Sequence, residues 1–271
     1  MNPPASSSNV VSLLGIPFDE NSSYLRGAAQ APPRIVEAFF CDSSNLWTEN
    51  GTDLEGKVRD AGSLQLPSGT AEAFAAMERG VAELLHRDAR LIVLGGDHSI
   101  TYPVIKAFAA KFPNLEIMHF DAHPDLYDQL YGNRFSHACP FARVMEEKLA
   151  RRLVQAGIRT MNGHQREQAQ RFGVEVLEMK DLAHWPKLEF SGPVYVSFDI
   201  DVFDPAFAPG VSHWEPGGMS VRQALDVLQS LRGRMVGADV VEYNPARDAS
   251  GRTAMVCAKV LKEIAAGMLG E

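Results

Sequence analysis

Only three cysteines, Cys41, Cys139 and Cys257, occur in 271 residues, far apart and in no CxxC pair. That scarcity argues against a disulfide framework and suits a reducing compartment. Positive charge is short as well: 26 Lys and Arg stand against 34 Asp and Glu, a formal net charge of −8. With no local Lys/Arg cluster to reverse it, this balance argues against a nucleic-acid partner. No stretch approaches the roughly 18 apolar residues of a membrane helix. The opening MNPPASSSN lacks the basic-then-apolar order of a secretory leader. A soluble cytoplasmic protein with no membrane partner is expected. No low-complexity run divides the interior, so residues 10–271 are expected to form one domain behind a disordered lead, residues 1–9.

What the chain does have is carboxylates and histidines at the ends of apolar strands. Residues 116–125 read EIMHFDAHPD, with Asp121, His123 and Asp125 at alternate positions after a buried-looking strand. If extended geometry persists past Phe120, alternation returns these three side chains to one face. Residues 194–201, VYVSFDID, end in Asp199 and Asp201, and residues 91–99, LIVLGGDHS, place Asp97 and His98 after two glycines. Carboxylates and an imidazole packed together repel unless a divalent cation joins them. Gathered around one cleft, His98, Asp121, His123, Asp125, Asp199 and Asp201 outnumber what one small cation needs. They suit two Mn²⁺ ions roughly 3.5 to 4 Å apart with a water between them. The alternative is that Asp-rich strand ends merely exit a sheet into solvent, which fits one such motif better than three.

Helical periodicity is expected over residues 32–40, 70–86, 102–111, 141–152, 165–172, 220–231 and 252–268. Short apolar strands are expected at 10–15, 57–61, 91–94, 117–120, 153–158, 174–177, 194–198 and 235–241. Ser220 reads as a helix cap and Pro32-Pro33 as a first helical turn. This alternation predicts an α/β fold, a mostly parallel sheet with helices on both sides, whose ligands bind beyond the C-terminal strand ends. Residues 16–33 read as a long loop, open or folded over the site. His119, inside its strand, reads as a satisfied core histidine; His86, His164 and His184 receive no role.

The motifs GGDHS (95–99), DAHPD (121–125) and SFDIDVFDP (197–205) resemble those of the ureohydrolases, the arginase and agmatinase family. NSSYLRG, APPRI, GNRFSHA, REQAQRFGVE, DPAFAPGVSHWEPGG and GADVVEYNP resemble the plant-type arginase branch in particular, and together they span residue 11 to the last helix. The resemblance implies a three-layer α/β/α fold around an eight-stranded, mostly parallel sheet, assembled as a homo-oligomer, trimer or hexamer. It implies two Mn²⁺ per subunit: His98 and Asp125 on the first ion, His123 and Asp201 on the second, Asp121 and Asp199 bridging. It implies hydrolysis of a small guanidino substrate, L-arginine to urea and L-ornithine, by a hydroxide between the metals. Agmatine or another guanidino acid is the alternative substrate.

By the same resemblance Asp125 carries a proton to the leaving amine, His137 shuttles protons and Glu242 holds the guanidinium. On residue type alone, His137 reads more readily as a surface or loop-packing histidine, and Glu242 equally as a solvated carboxylate after a strand. For the far end of the substrate, Asn133, Arg134, Ser136, Asn162 and His213 are the candidates, His213 with loop packing as an equal reading. Tyr127 stands where animal-type arginases carry a carboxylate-binding asparagine. A catalytically silent member would have lost a ligand, His137 or Glu242, and a formiminoglutamate-type hydrolase would release formamide rather than urea.

Overall fold

The structure is a computed structural model that describes residues 10–87 and 90–270; the expected lead, residues 1–9, lies outside them. Among these residues, eight strands form one sheet: β1 (Val11–Ile16), β2 (Val58–Ser63), β3 (Arg90–Gly95), β4 (Glu116–Phe120), β5 (Arg152–Ile158), β6 (Glu175–Glu178), β7 (Glu189–Asp199) and β8 (Arg232–Val241). Their order is β2-β1-β3-β8-β7-β4-β5-β6, every pairing parallel. The helices are α1 (Ala31–Phe39), α2 (Thr70–His86), α3 (Thr101–Lys111), α4 (Pro140–Glu146), α5 (Gly163–Phe172), α6 (Val221–Ser230) and α7 (Arg252–Leu269).

The central strands are buried on both faces, as parallel strands between helical layers are. Their alternate side chains divide between two apolar layers. Leu13, Ile92, Met118, Val196 and Ala238 pack with α1, α6 and α7. Leu14, Val93, Ile117, Tyr195 and Val236 pack with α2, α3 and α4. The three layers are thus those expected. No helix among the described residues is long and apolar enough to cross a membrane.

Local chemistry explains the element ends. Ser220 caps α6 and Asn162 caps α5, each in a reciprocal capping box with the Gln three residues on. Gly173, at φ 67°, closes α5 in the left-handed conformation. One expectation is corrected: the helix expected over 141–152 stops at Glu146, because Lys148 turns left-handed at φ 55° and Leu149 N–H bonds back to Val144 O. Strands β7 and β8 are longer than expected because they pair with each other back to Glu189 and Arg232.

The sheet order has one consequence for function. The neighbours β3, β8, β7 and β4 are its four middle strands, so the residues that follow their C-terminal ends meet at one place although they lie far apart in sequence. The first strand's loop comes down beside them: Phe18 O accepts the N–H of Asp97 at 2.9 Å. A Cβ on Gly96 would lie 1.7 Å from that carbonyl, which is why the second glycine of GGDHS is required.

Candidate metal centre and active site

Three strand ends turn by the same device. Asp97 Oδ1 accepts the N–H of Ser99 at 3.0 Å, Asp121 Oδ1 that of His123 at 2.6 Å, and Asp199 Oδ1 that of Asp201 at 2.7 Å. These are Asx turns. They correct the route by which the DAHPD residues were expected to converge. Strand β4 ends at Phe120, and Asp125 takes a left-handed φ of 50°. Folding of the turn, not strand alternation, gathers Asp121, His123 and Asp125.

The six residues form two overlapping groups. His98 Nδ1 lies 3.1 Å from Oδ2 of Asp121, of Asp125 and of Asp199. His123 Nδ1 lies 3.0 Å from Asp201 Oδ2 and 3.4 Å from Asp121 Oδ1. Asp121 therefore presents one oxygen to each histidine. Yet His98 Nδ1 is buried and makes no hydrogen bond. Its partner nitrogen explains why: Ser197 spends its hydroxyl proton on Asp239 Oδ1 at 2.7 Å, so its oxygen accepts from His98 Nε2–H at 3.0 Å. Nδ1 is left facing three carboxylate oxygens. Burial opposes a charged His98, but Asp121, Asp125 and Asp199 outweigh it and hold its pKa well above the usual range. The site demands positive charge at that point, and the donor set of imidazole nitrogens and carboxylate oxygens fits a divalent cation.

Electrostatics of the carboxylates agree. Burial raises Asp125 to about 6 and Asp199 well above its usual value, with Asp121 adding to both and Asp201 adding to Asp199. Such shifts mark carboxylates crowded together out of water, which cations relieve. The groups His98–His119–Asp121 and Asp121–His123–Asp201 each bring ligand atoms within 4.8 Å of one another. His119 is nevertheless engaged at both ring nitrogens, to Asp121 Oδ2 at 2.8 Å and to Gln155 Nε2 at 3.1 Å. It is the fully buried, satisfied histidine expected, and it orients Asp121.

A polar row that sequence reasoning missed supports the ligands from below. Gln155, His119, Ser197 and Asp239 are register partners across β5, β4, β7 and β8, all fully buried. Asp239 also accepts from Thr101 and Tyr195 hydroxyls at 2.9 and 2.8 Å. Buried polar residues inside strands that otherwise read as apolar were the available signal. Glu215, within GVSHWEPGG, faces the far side of His123, its Oε1 3.5 Å from Nε2. Outer partners of this kind fix the orientation of metal-binding side chains.

Across a cleft of about 250 Å³ stand His137 and Glu242. Glu242, left-handed at φ 64°, accepts His98 N–H at 2.9 Å and His137 Nδ1–H at 2.8 Å, both on Oε1. Burial disfavours a charged His137, but Glu242 prevails and raises it to about 9. The loop 16–33 is folded over the site: Ser23 Oγ lies 2.8 Å from His137 Nε2.

Of the substrate candidates, only His213 lines the cleft, its ring 5.2 Å from that of His137 and 5.9 Å from that of His123. Arg134 does not reach it; the guanidinium pairs with Glu146 at 2.9 Å with its side chain 52% exposed. Asn133 is exposed and donates to Asn21 Oδ1 at 3.2 Å. Ser136 is buried, its hydroxyl accepting Ala138 N–H at 3.4 Å. Asn162 caps α5 and donates to Tyr127 OH at 2.6 Å, so it stands behind the cleft wall, bonded to the lining residues Tyr127 and Gln165. Tyr131, 90% exposed at the tip of a Leu130–Asn133 turn, also lines the mouth.

This arrangement has known counterparts. The sequence model of the Arginase family matches residues 9–267. A mitochondrial arginase 1 of Arabidopsis thaliana is 47% identical over 94% of this chain and 80% of its own length. An agmatinase of Bacillus cereus is 34% identical over 97% of this chain and 93% of its own. The solved structure of an arginase from Medicago truncatula superposes with a TM-score of 0.93 at 45% identity, covering 96% of this chain and 88% of that one. The chain belongs to the arginase family.

Proposed function

We propose that the protein is a manganese-dependent amidinohydrolase that converts L-arginine to urea and L-ornithine. The observation that carries this reading is the paired cluster itself: two histidine–carboxylate groups sharing Asp121, faced across one cleft by Glu242 and His137. In it His98 and Asp125 would hold one Mn²⁺, His123 and Asp201 a second, and Asp121 and Asp199 both. Two such cations, when bound, neutralise the carboxylates and make a water acidic enough to attack a delocalised guanidinium carbon.

The chain's own groups do the rest. Glu242 Oε1 is spent on His98 N–H and His137, which leaves Oε2 to pair with the planar guanidinium. Asp125 accepts the proton released as the C–O bond forms and delivers it to the departing amine nitrogen. His137 returns protons between turnovers. The loop carrying Ser23 narrows the mouth and limits access of water.

Arginine is preferred over agmatine because relatives named arginase stand near 47% identity and the agmatinase near 34%. One feature favours agmatine: the lining carries no Lys or Arg for an α-carboxylate. Urea release from arginine, agmatine, 4-guanidinobutyrate and 3-guanidinopropionate under one Mn²⁺ condition, compared as kcat/KM, decides. Arginine should lead; agmatine ahead by tenfold would overturn the substrate while leaving the chemistry.

We also propose a single catalytic domain, supported by the two apolar layers on one sheet. A homo-oligomer, trimer or hexamer, is supported by exposed Trp47, Tyr131, Phe207 and Trp214 and is read by light scattering. The three unpaired thiols suit a cytoplasmic location; since the Arabidopsis relative is named mitochondrial, cell fractionation distinguishes the two.

A further inference from the structure

His137 meets little water through its own ring. It is 8% exposed, and both nitrogens are engaged, Nδ1 by Glu242 Oε1 and Nε2 by Ser23 Oγ, each at 2.8 Å. An ionised carboxylate only accepts, so Nδ1 carries a hydrogen toward Glu242. Nε2 is then the nitrogen that gains and loses the proton, and the group it touches is a hydroxyl, which can donate to the neutral ring and accept from the charged one. Ser23 itself is exposed at the lip of the cleft.

Its placement is built in. Asn21 N–H and the Ser22 hydroxyl both donate to Asp97 Oδ2, at 3.0 and 3.4 Å, while Ser99 donates its N–H and hydroxyl to Asp97 Oδ1. Asn21 Nδ2 donates to Ser99 Oγ at 3.1 Å, and His137 N–H donates to Asn21 O at 3.2 Å. Two of these donors, Asn21 N–H and the Ser22 hydroxyl, tie residues 21–22 to the strand end that bears His98, and the same loop meets both the backbone and the ring of His137.

We propose that Ser23 is the positioning and relay residue for His137: it holds the ring with Nδ1–H toward Glu242 and links Nε2 to solvent. The inference rests on the hydrolase reading above. In the relay, Nε2–H passes its proton to Ser23 Oγ as the hydroxyl's own proton passes to water or a buffer base. The products are neutral His137, an intact serine and the protonated acceptor; the reverse sequence reloads the ring. No bond to carbon changes and no electron moves.

The test compares urea release from arginine by the Mn²⁺-loaded wild type, Ser23→Ala, Ser23→Thr, His137→Ala and the Ser23→Ala change in the His137→Ala background. Proton transfer by a positioned side chain contributes about 10²–10⁴-fold, and loss of one relay member should take a part of it. Ser23→Ala is expected to lower kcat about tenfold with KM within twofold, and with metal content and unfolding temperature unchanged. Ser23→Thr should recover most of the loss, and on the His137→Ala background Ser23→Ala should cost nothing more. A kcat of Ser23→Ala within twofold of an active wild type, or a full second loss on the His137→Ala background, would overturn the relay alone. A wild type that releases no urea from any guanidino compound would overturn the hydrolase reading and the relay with it.

Discussion

Asp199→Asn should act with nearly opposite consequences in the stripped and the loaded protein. Asp199 is buried, its Oδ1 accepting Asp201 N–H at 2.7 Å and its Oδ2 3.1 Å from His98 Nδ1. In chelator-stripped protein, burial together with Asp201 and Asp121 keeps its pKa well above the usual carboxylate range, so its charge is costly there. Asparagine keeps the shape without the charge, and its oxygen can keep the Asp201 bond. The stripped variant should unfold within about 2 °C of stripped wild type, since an effect below about 1 kcal/mol moves Tm only a few degrees in a chain of this size. In loaded protein the same change removes a charge from both cations. Breaking a buried charge pair costs about 3 to 5 kcal/mol, roughly two to three and a half orders of magnitude in affinity. At Mn²⁺ near a thousand times the wild-type Kd, binding contributes about 4 kcal/mol, or roughly 8 °C or more; the variant should show a third of that shift or less. Differential scanning calorimetry with and without Mn²⁺ reads both numbers. A stripped variant melting well below stripped wild type, or one keeping the full Mn²⁺ shift, would refute the reasoning.

Arg134→Ala should leave kcat/KM for arginine within twofold, because its guanidinium is held by Glu146 outside the cleft, whereas Tyr127→Phe, which breaks the Asn162 bond at the cleft wall, should change the arginine-to-agmatine ratio; steady-state kinetics on both substrates checks the pair. Ser220→Ala removes the cap and half of the box at α6 and should cost about 1 kcal/mol with activity unchanged, read by urea unfolding and the urea-release assay. Cation uptake should displace protons, since burial and Asp121 raise Asp125 to about 6 in their mutual crowding. Mn²⁺ affinity should therefore fall from pH 7.5 to pH 5.5, and calorimetry in buffers of different ionisation heat should detect the release; pH-independent affinity would contradict it.

Residue types in the motifs were enough to point to the cluster, because few arrangements of two aspartate-rich strand ends and a GGDH avoid a cation. How the cluster forms was less legible. The pattern at Asp121, His123 and Asp125 has the period of a strand, but the carboxylate of Asp121 captures the N–H two residues on, a local bond that hydrophobic periodicity does not register. The early stop of α4 has the same character: residues 147–152 look helical, and the left-handed Lys148 ends the helix through backbone bonds rather than composition. Contacts between distant segments were invisible. Ser23 meets His137 across 114 positions and Glu242 meets it across 105, brought together by a strand order that one sequence does not encode in any local pattern. Arg134 shows the converse, a charge that suits a substrate carboxylate by type and is committed elsewhere by geometry.

The central claim is that two cations sit between these side chains. Anomalous diffraction from Mn²⁺-loaded crystals, recorded at the manganese edge, tests it most directly. Two peaks are predicted, one against His98 and Asp125, the other against His123 and Asp201, with Asp121 and Asp199 reaching both. A single peak at full activity, or peaks away from these residues, would contradict the account.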